Sequence, residues 1–79
     1  MAVRIYSTPS CTFCHHLKDY LRERQVKFVD YDVSRDDRKA DEMLHKSRQT
    51  GVPVMDFNGT IVVGFDKPKV DSLIARSRG

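Results

Sequence analysis

Residues 2–33 constrain the fold more than any other stretch of the chain. Ala2 to Tyr6, AVRIY, alternates and carries β-branched residues, so it reads as a strand. Ser7 to Ser10 then break the pattern with turn formers. From Cys11 to Arg24 the apolar positions Cys14, Leu17 and Leu21 recur at helical spacing, with Phe13 and Tyr20 beside them. Ser10 is the expected N-cap of that helix. Lys27 to Val33, KFVDYDV, alternates again. Phe28, Asp30 and Asp32 take one face; Val29, Tyr31 and Val33 take the other. Strand, helix and strand in so short a span make a βαβ unit, with parallel strands and a right-handed crossover.

The remainder supplies one more helix and a hairpin–helix unit. Ser34 is expected to open the second helix through a Ser-x-x-Asp capping box with Asp37. Asp36 and Asp37 suit the positive end of its dipole. Its inner stripe would be Ala40, Met43, Leu44 and Ser47, and Gly51 and Pro53 stop it. Val52 to Phe65 reads as two short strands around Asn58-Gly59, a strong two-residue hairpin signal. Asp66 is the expected cap of a third helix, with Pro68 in its first turn and Val70, Leu73 and Ile74 pointing inward. The order βαβ-α-ββα predicts an α/β fold in a single domain, residues 1–79. One mixed four-stranded sheet, in the order 2-1-3-4, would carry three helices on its two faces.

Bulk composition excludes several functions. With 79 residues the core is thin. Lys and Arg number 14 against 11 Asp and Glu, a net charge of only +3, and the two signs are interspersed. No dense basic run marks a nucleic-acid groove. No run of about 18 apolar residues exists to cross a membrane, and MAVRIYSTPS lacks the apolar region of a signal peptide. The cytoplasm is therefore the expected compartment. There a cysteine pair is more often catalytic or metal-binding than a permanent staple.

Cys11 and Cys14 are the pair, at the start of the first helix and directly after a strand. Residues three apart on a helix lie about 5–6 Å from each other, within the reach of a disulfide. The two sulfurs are not equivalent. Cys14 shares its stripe with Leu17 and Leu21. Cys11 sits in the first turn, where free N–H groups and the dipole stabilise a thiolate. Cys11 is the expected nucleophile and Cys14 the sheltered resolving thiol. The motif Cys11-x-x-Cys14-His15 also admits a c-type haem. Cys11, Cys14, His15 or His16, and His45 formally admit zinc. Haem attachment needs an export signal, and a two-part zinc spacing is absent. No metal and no resident cofactor are expected.

With these residues placed, the chain resembles the glutaredoxin family of the thioredoxin superfamily over nearly its whole length. The resemblance rests on Ile5 to Cys14 (IYSTPSCTFC), Thr50 to Val54 (TGVPV) and Val62 to Asp66 (VVGFD). It implies a thioredoxin fold and a thiol–disulfide oxidoreductase with a redox-active Cys11–Cys14 disulfide. It implies a cis Pro53, with Val52 offering its backbone to an extended substrate. Thr8, Thr12, Phe13, Gly64, Phe65, Asp66 and Lys67 would line a groove for glutathione or a partner's chain. The chain departs from the family pattern too. Thr12-Phe13 replaces the usual Pro-Tyr, Thr8 a common basic residue, and Val63 the first glycine of a pair. Lys67 replaces a second Asp, reversing the charge where the glutathione amino group would sit.

Gly64-Phe65 and Pro68 are similar to the turn of NrdH-type redoxins, which draw electrons from thioredoxin reductase and serve ribonucleotide reductase. The resemblance thus implies protein disulfide substrates, with glutathione or thioredoxin reductase as donor; a monomer is expected, and charge and hydropathy lead to the expectation of no nucleic-acid or membrane partner. A metal- or iron–sulfur-binding module built on Cys11 is the reading from a different class.

Overall fold

A computed structural model describes residues 2–78. The elements run β1 (Val3–Ser7), α1 (Thr12–Glu23), β2 (Val29–Asp32), α2 (Asp37–Ser47), β3 (Val54–Phe57), β4 (Thr60–Val63) and α3 (Lys67–Arg78). The sheet has the order β2-β1-β3-β4. β1 runs parallel to β2 and antiparallel to β3, and β3 and β4 form the hairpin. This is the expected thioredoxin-like architecture. No helix among the described residues is long and apolar enough to cross a membrane.

Side-chain alternation along β1 divides the core between the two faces. Val3 and Ile5 pack with Leu17 and Leu21 of α1 and Val70, Leu73 and Ile74 of α3. Tyr6 and Val54 pack with Met43 of α2 on the opposite face. The hairpin turns on Asn58 (φ 49°) and Gly59 (φ 99°), the positive-φ pair that a tight two-residue loop needs.

Three boundaries differ from the sequence expectation, each for a local reason. Cys11, not Ser10, caps α1: its Sγ accepts the Cys14 N–H at 3.1 Å. α2 begins at Asp37 with Asp36 as its cap, three residues after Ser34. Asp32 explains this, because its Oδ1 takes both the Ser34 N–H (3.0 Å) and the Ser34 hydroxyl (2.5 Å). That local turn competes with the helix for Ser34. β2 is shorter than expected, yet Phe28 and Val33 still pack on the opposite faces assigned to them. Within α2 only Met43 of the expected stripe is buried; Leu44 is 42% exposed.

Candidate active site

The C-terminal end of β1 delivers the chain to the cysteines. Ser7 is buried, and the turn after it is closed by the Cys11 N–H donating to the Thr8 carbonyl at 3.3 Å. His15 reaches back from α1, its Nε2 2.8 Å from the Pro9 carbonyl. Cys11 and Cys14 are joined by a disulfide, with Cα atoms 5.2 Å apart. Cys14 is 0% exposed beneath the helix, whereas Cys11 is partly exposed at its tip. No acidic residue occupies the first turn of α1, so nothing there opposes a thiolate at Cys11.

Lys18 lies one turn beyond Cys14 and is buried. Its ammonium meets Asp30 Oδ2 at 2.9 Å, and Asp30 Oδ1 accepts the Ser7 hydroxyl at 2.6 Å. The network ties α1 to β1 and β2 at the level of the redox pair. Sequence reasoning missed it; a lysine at the Cys14 + 4 position of an apolar helical stripe was the available signal.

The peptide bond between Val52 and Pro53 is cis, as the resemblance implied, and Pro53 is buried. Its carbonyl accepts the Gly64 N–H at 2.8 Å, which joins the segment before β3 to the turn before α3.

A shallow cleft of about 670 Å³ opens between α1 and that turn. Of the expected residues it brings together Phe13, Phe65, Asp66 and Lys67, and it adds His16, Val63 and Pro68. Thr8, Thr12, Val52, Pro53 and Gly64 do not line it. His16 was detectable as the i+3 neighbour of Phe13, and the two rings meet edge-on at 6.1 Å. Phe13 is 64% and Val63 51% exposed, so the cleft offers bare apolar surface beside the disulfide. Lys67 holds its ammonium 5.8 Å from the Phe65 ring centre and 5.5 Å from that of Tyr20. It forms no ion pair with the described residues. Asp66 caps α3, its Oδ1 accepting the Lys69 N–H at 3.3 Å. No three His, Cys, Asp or Glu side chains converge as a metal-binding group among the described residues.

A thioredoxin-like sheet whose central strand leads into a helix-capping Cys-x-x-Cys disulfide defines a thiol–disulfide redox protein. The comparisons narrow the class. The glutaredoxin family model matches residues 3–62. A glutaredoxin-like 8.6 kDa protein in the rubredoxin operon of Clostridium pasteurianum is 43% identical over 74 residues, covering 94% of this chain and 99% of that protein. Glutaredoxin 3 of Escherichia coli K12 is 30% identical over 64 residues, 81% of this chain and 77% of the relative. The chain belongs to the glutaredoxin family and is a thiol–disulfide oxidoreductase. In fold it is also similar to the NrdH-redoxin of Escherichia coli, with a TM-score of 0.83 at 23% identity over 92% of this chain and 95% of that one. The family match ends at Val62, so the cleft turn from Val63 to Pro68 lies beyond it.

Proposed function

We propose that this protein reduces protein disulfides and glutathione-containing mixed disulfides through Cys11 and Cys14. The observation that carries the reading is the asymmetry of the pair: Cys14 is sealed under α1 while Cys11 is partly exposed and caps it. A substrate disulfide reaches only Cys11. The Cys11 thiolate attacks one substrate sulfur, forms a mixed disulfide and releases the first substrate thiolate. Cys14, as thiolate, attacks Cys11 Sγ. The substrate leaves with its second thiol, and the Cys11–Cys14 disulfide holds the two-electron deficit. Two thiols of a donor then restore the dithiol. Val52 and Pro53 orient the incoming chain. Phe13, Phe65, Asp66 and Lys67 receive what flanks its cysteine, with Thr8, Thr12 and Gly64 shaping the approach. The reading takes the protein as a cytoplasmic monomer, away from nucleic acid and membrane.

The unpaired Lys67 and the bare Phe13 and Val63 support a second reading of the donor. An ammonium repels the amino group of glutathione, whereas an apolar cleft suits a protein surface. Thioredoxin reductase would then be the donor and ribonucleotide reductase an acceptor, as for NrdH-type redoxins. The test is reduction of the oxidised protein by glutathione with glutathione reductase, against NADPH with thioredoxin reductase. Fast turnover with glutathione alone supports the first reading, and fast turnover with the reductase alone the second. No turnover with either, together with stoichiometric metal lost in Cys11→Ser, would instead favour a metal- or cluster-binding module.

A further inference from the structure

A basic and apolar patch lies at the start of β2, at the opposite end of the sheet from Cys11 and Cys14. Two hollows, of about 590 and 300 Å³, meet at Lys27 and Phe28, where the chain passes from α1 into β2. Arg22 and Lys27 line the first, Arg4 and Lys27 the second, and neither contains an acidic residue. Arg22 sits 5.4 Å from the centre of the Phe28 ring and pairs with the exposed Asp19 at 3.1 Å, Arg4 lies 3.9 Å from Asp56, and Lys27 is exposed with no ion partner among the described residues. Val29 is 53% exposed. β2 is an outer strand, so its free edge borders this patch. The acids of β2 are engaged elsewhere: Asp30 with Lys18 and Ser7, Asp32 with Ser34 and Arg35.

From this combination we infer that the Arg4–Arg22–Lys27–Phe28–Val29 patch docks an extended acidic segment of a partner protein along the β2 edge. Backbone pairing at the edge supplies register-tolerant affinity. Phe28 and Val29 lie on opposite faces of the sheet, so apolar side chains from both faces of the added strand cover them, while carboxylates meet Lys27 first and compete with Asp19 and Asp56 for Arg22 and Arg4. Arg4 lies beside Val29 at the start of β1. Ser7 is three residues on, about 10 Å away at the strand rise, and the cysteines lie beyond it. A partner held here keeps its disulfide near Cys11 at high effective concentration without occupying the cleft. That tethering role rests on the redox reading above; the binding itself does not.

The test uses a short fluorescein-labelled peptide of repeating glutamate–glutamate–valine–valine, which puts both residue types on both faces of a strand, with the lysine–lysine–valine–valine peptide as control. The glutamate peptide is expected to bind the whole protein, to weaken as salt rises, and to shift the amide resonances of residues 27–31. Lys27→Glu with Arg22→Glu should weaken it about tenfold; Lys27→Ser alone should give a smaller loss. Reduction of a small disulfide should be unchanged in all variants. Equal binding of both peptides, no binding, or shifts confined to the Phe13–Pro68 cleft would overturn the inference. Tighter binding of an oligonucleotide at the patch, or self-association through it, would overturn it in favour of those occupants.

Discussion

Gly64 donates its backbone N–H to the Pro53 carbonyl at 2.8 Å, and this bond couples the segment before β3 to the turn before α3. Gly64 holds φ at +75°, a conformation that only glycine adopts without strain. Nothing lies within 4 Å of a Cβ built there. A substitution therefore meets backbone strain and no steric clash.

Gly64→Ala should cost about 1–2 kcal/mol, the penalty of a left-handed residue with a Cβ. Denaturant unfolding would show the loss. If the bond positions Pro53, KM for a disulfide substrate should also rise while thiolate reactivity at Cys11 stays unchanged. A stability loss with no change in KM would confine Gly64 to a structural role.

The burial of Cys14 predicts which intermediate can be trapped. Cys14→Ser keeps the nucleophile and removes the resolving sulfur, so a mixed disulfide with substrate should accumulate and appear as an added mass. Cys11→Ser should form none and lose dithiol turnover altogether. In the reduced wild-type protein, alkylation should modify Cys11 well before Cys14.

Much of this was legible because the information is local. The apolar spacing of Cys14, Leu17 and Leu21 set the buried face of α1, and Asn58-Gly59 set the hairpin. Pattern logic failed where one side chain had two possible uses. Ser34 reads as a cap, but Asp32 captures it first. Ser10 reads as a cap, but the sulfur of Cys11 takes the N–H. The cleft was half legible: Phe13, Phe65, Asp66 and Lys67 meet there, while Thr8, Thr12 and Val52 stay outside it. The polar network under α2 was not legible at all. Lys46 and Asp56 are ten positions apart, and only the packing of α2 on the sheet brings them to 2.7 Å.

That pair makes a pH prediction. Lys46 also donates to the Tyr6 hydroxyl at 2.8 Å, and Asp56 Oδ1 accepts the Gly59 N–H at 2.8 Å. Burial pushes the Asp56 carboxyl up, but the Lys46 ammonium and the Gly59 N–H outweigh it and hold the carboxyl below its ordinary value. Burial pushes Lys46 down, but its bonds to Asp56 and Tyr6 hold it above its ordinary value. The Asp56 contribution is therefore complete above about pH 4 and is lost as pH falls through the lowered value. The Lys46 contribution is complete below about pH 10 and is lost as pH rises through the raised value. Removing one partner of a fully buried pair costs about 3–5 kcal/mol. Lys46 is a quarter exposed, so Lys46→Met should cost nearer about 2 kcal/mol. The deficit should be largest near neutral pH and shrink in acid, and Asp56→Asn in the same background should recover part of it.

Asp66 lines the cleft and caps α3, and two substitutions separate these roles. Asn is as good a cap as Asp but carries no charge. Asp66→Ala should lower stability by about 1 kcal/mol; Asp66→Asn should leave it nearly unchanged. A KM shift shared by both variants would assign the carboxylate to substrate. A KM unchanged in Asp66→Asn would leave it a cap alone.

Lys67 tests the donor most directly. Its ammonium stands over Phe65 at the mouth of the cleft, and it occupies the position at which the family resemblance places a carboxylate for the glutathione amino group. Lys67→Asp turns repulsion into attraction at one exposed site. An exposed ion pair contributes about 0.2–1 kcal/mol, and removal of the repulsion adds a similar amount. The glutathione-dependent rate, measured as kcat/KM with glutathione reductase in excess, should rise about threefold to tenfold. The rate with thioredoxin reductase should stay level or fall. Equal effects on both donors would mean that Lys67 acts on the reactivity of Cys11 and not on recognition, and titration of the Cys11 thiolate in the variant would reveal that as a shifted midpoint.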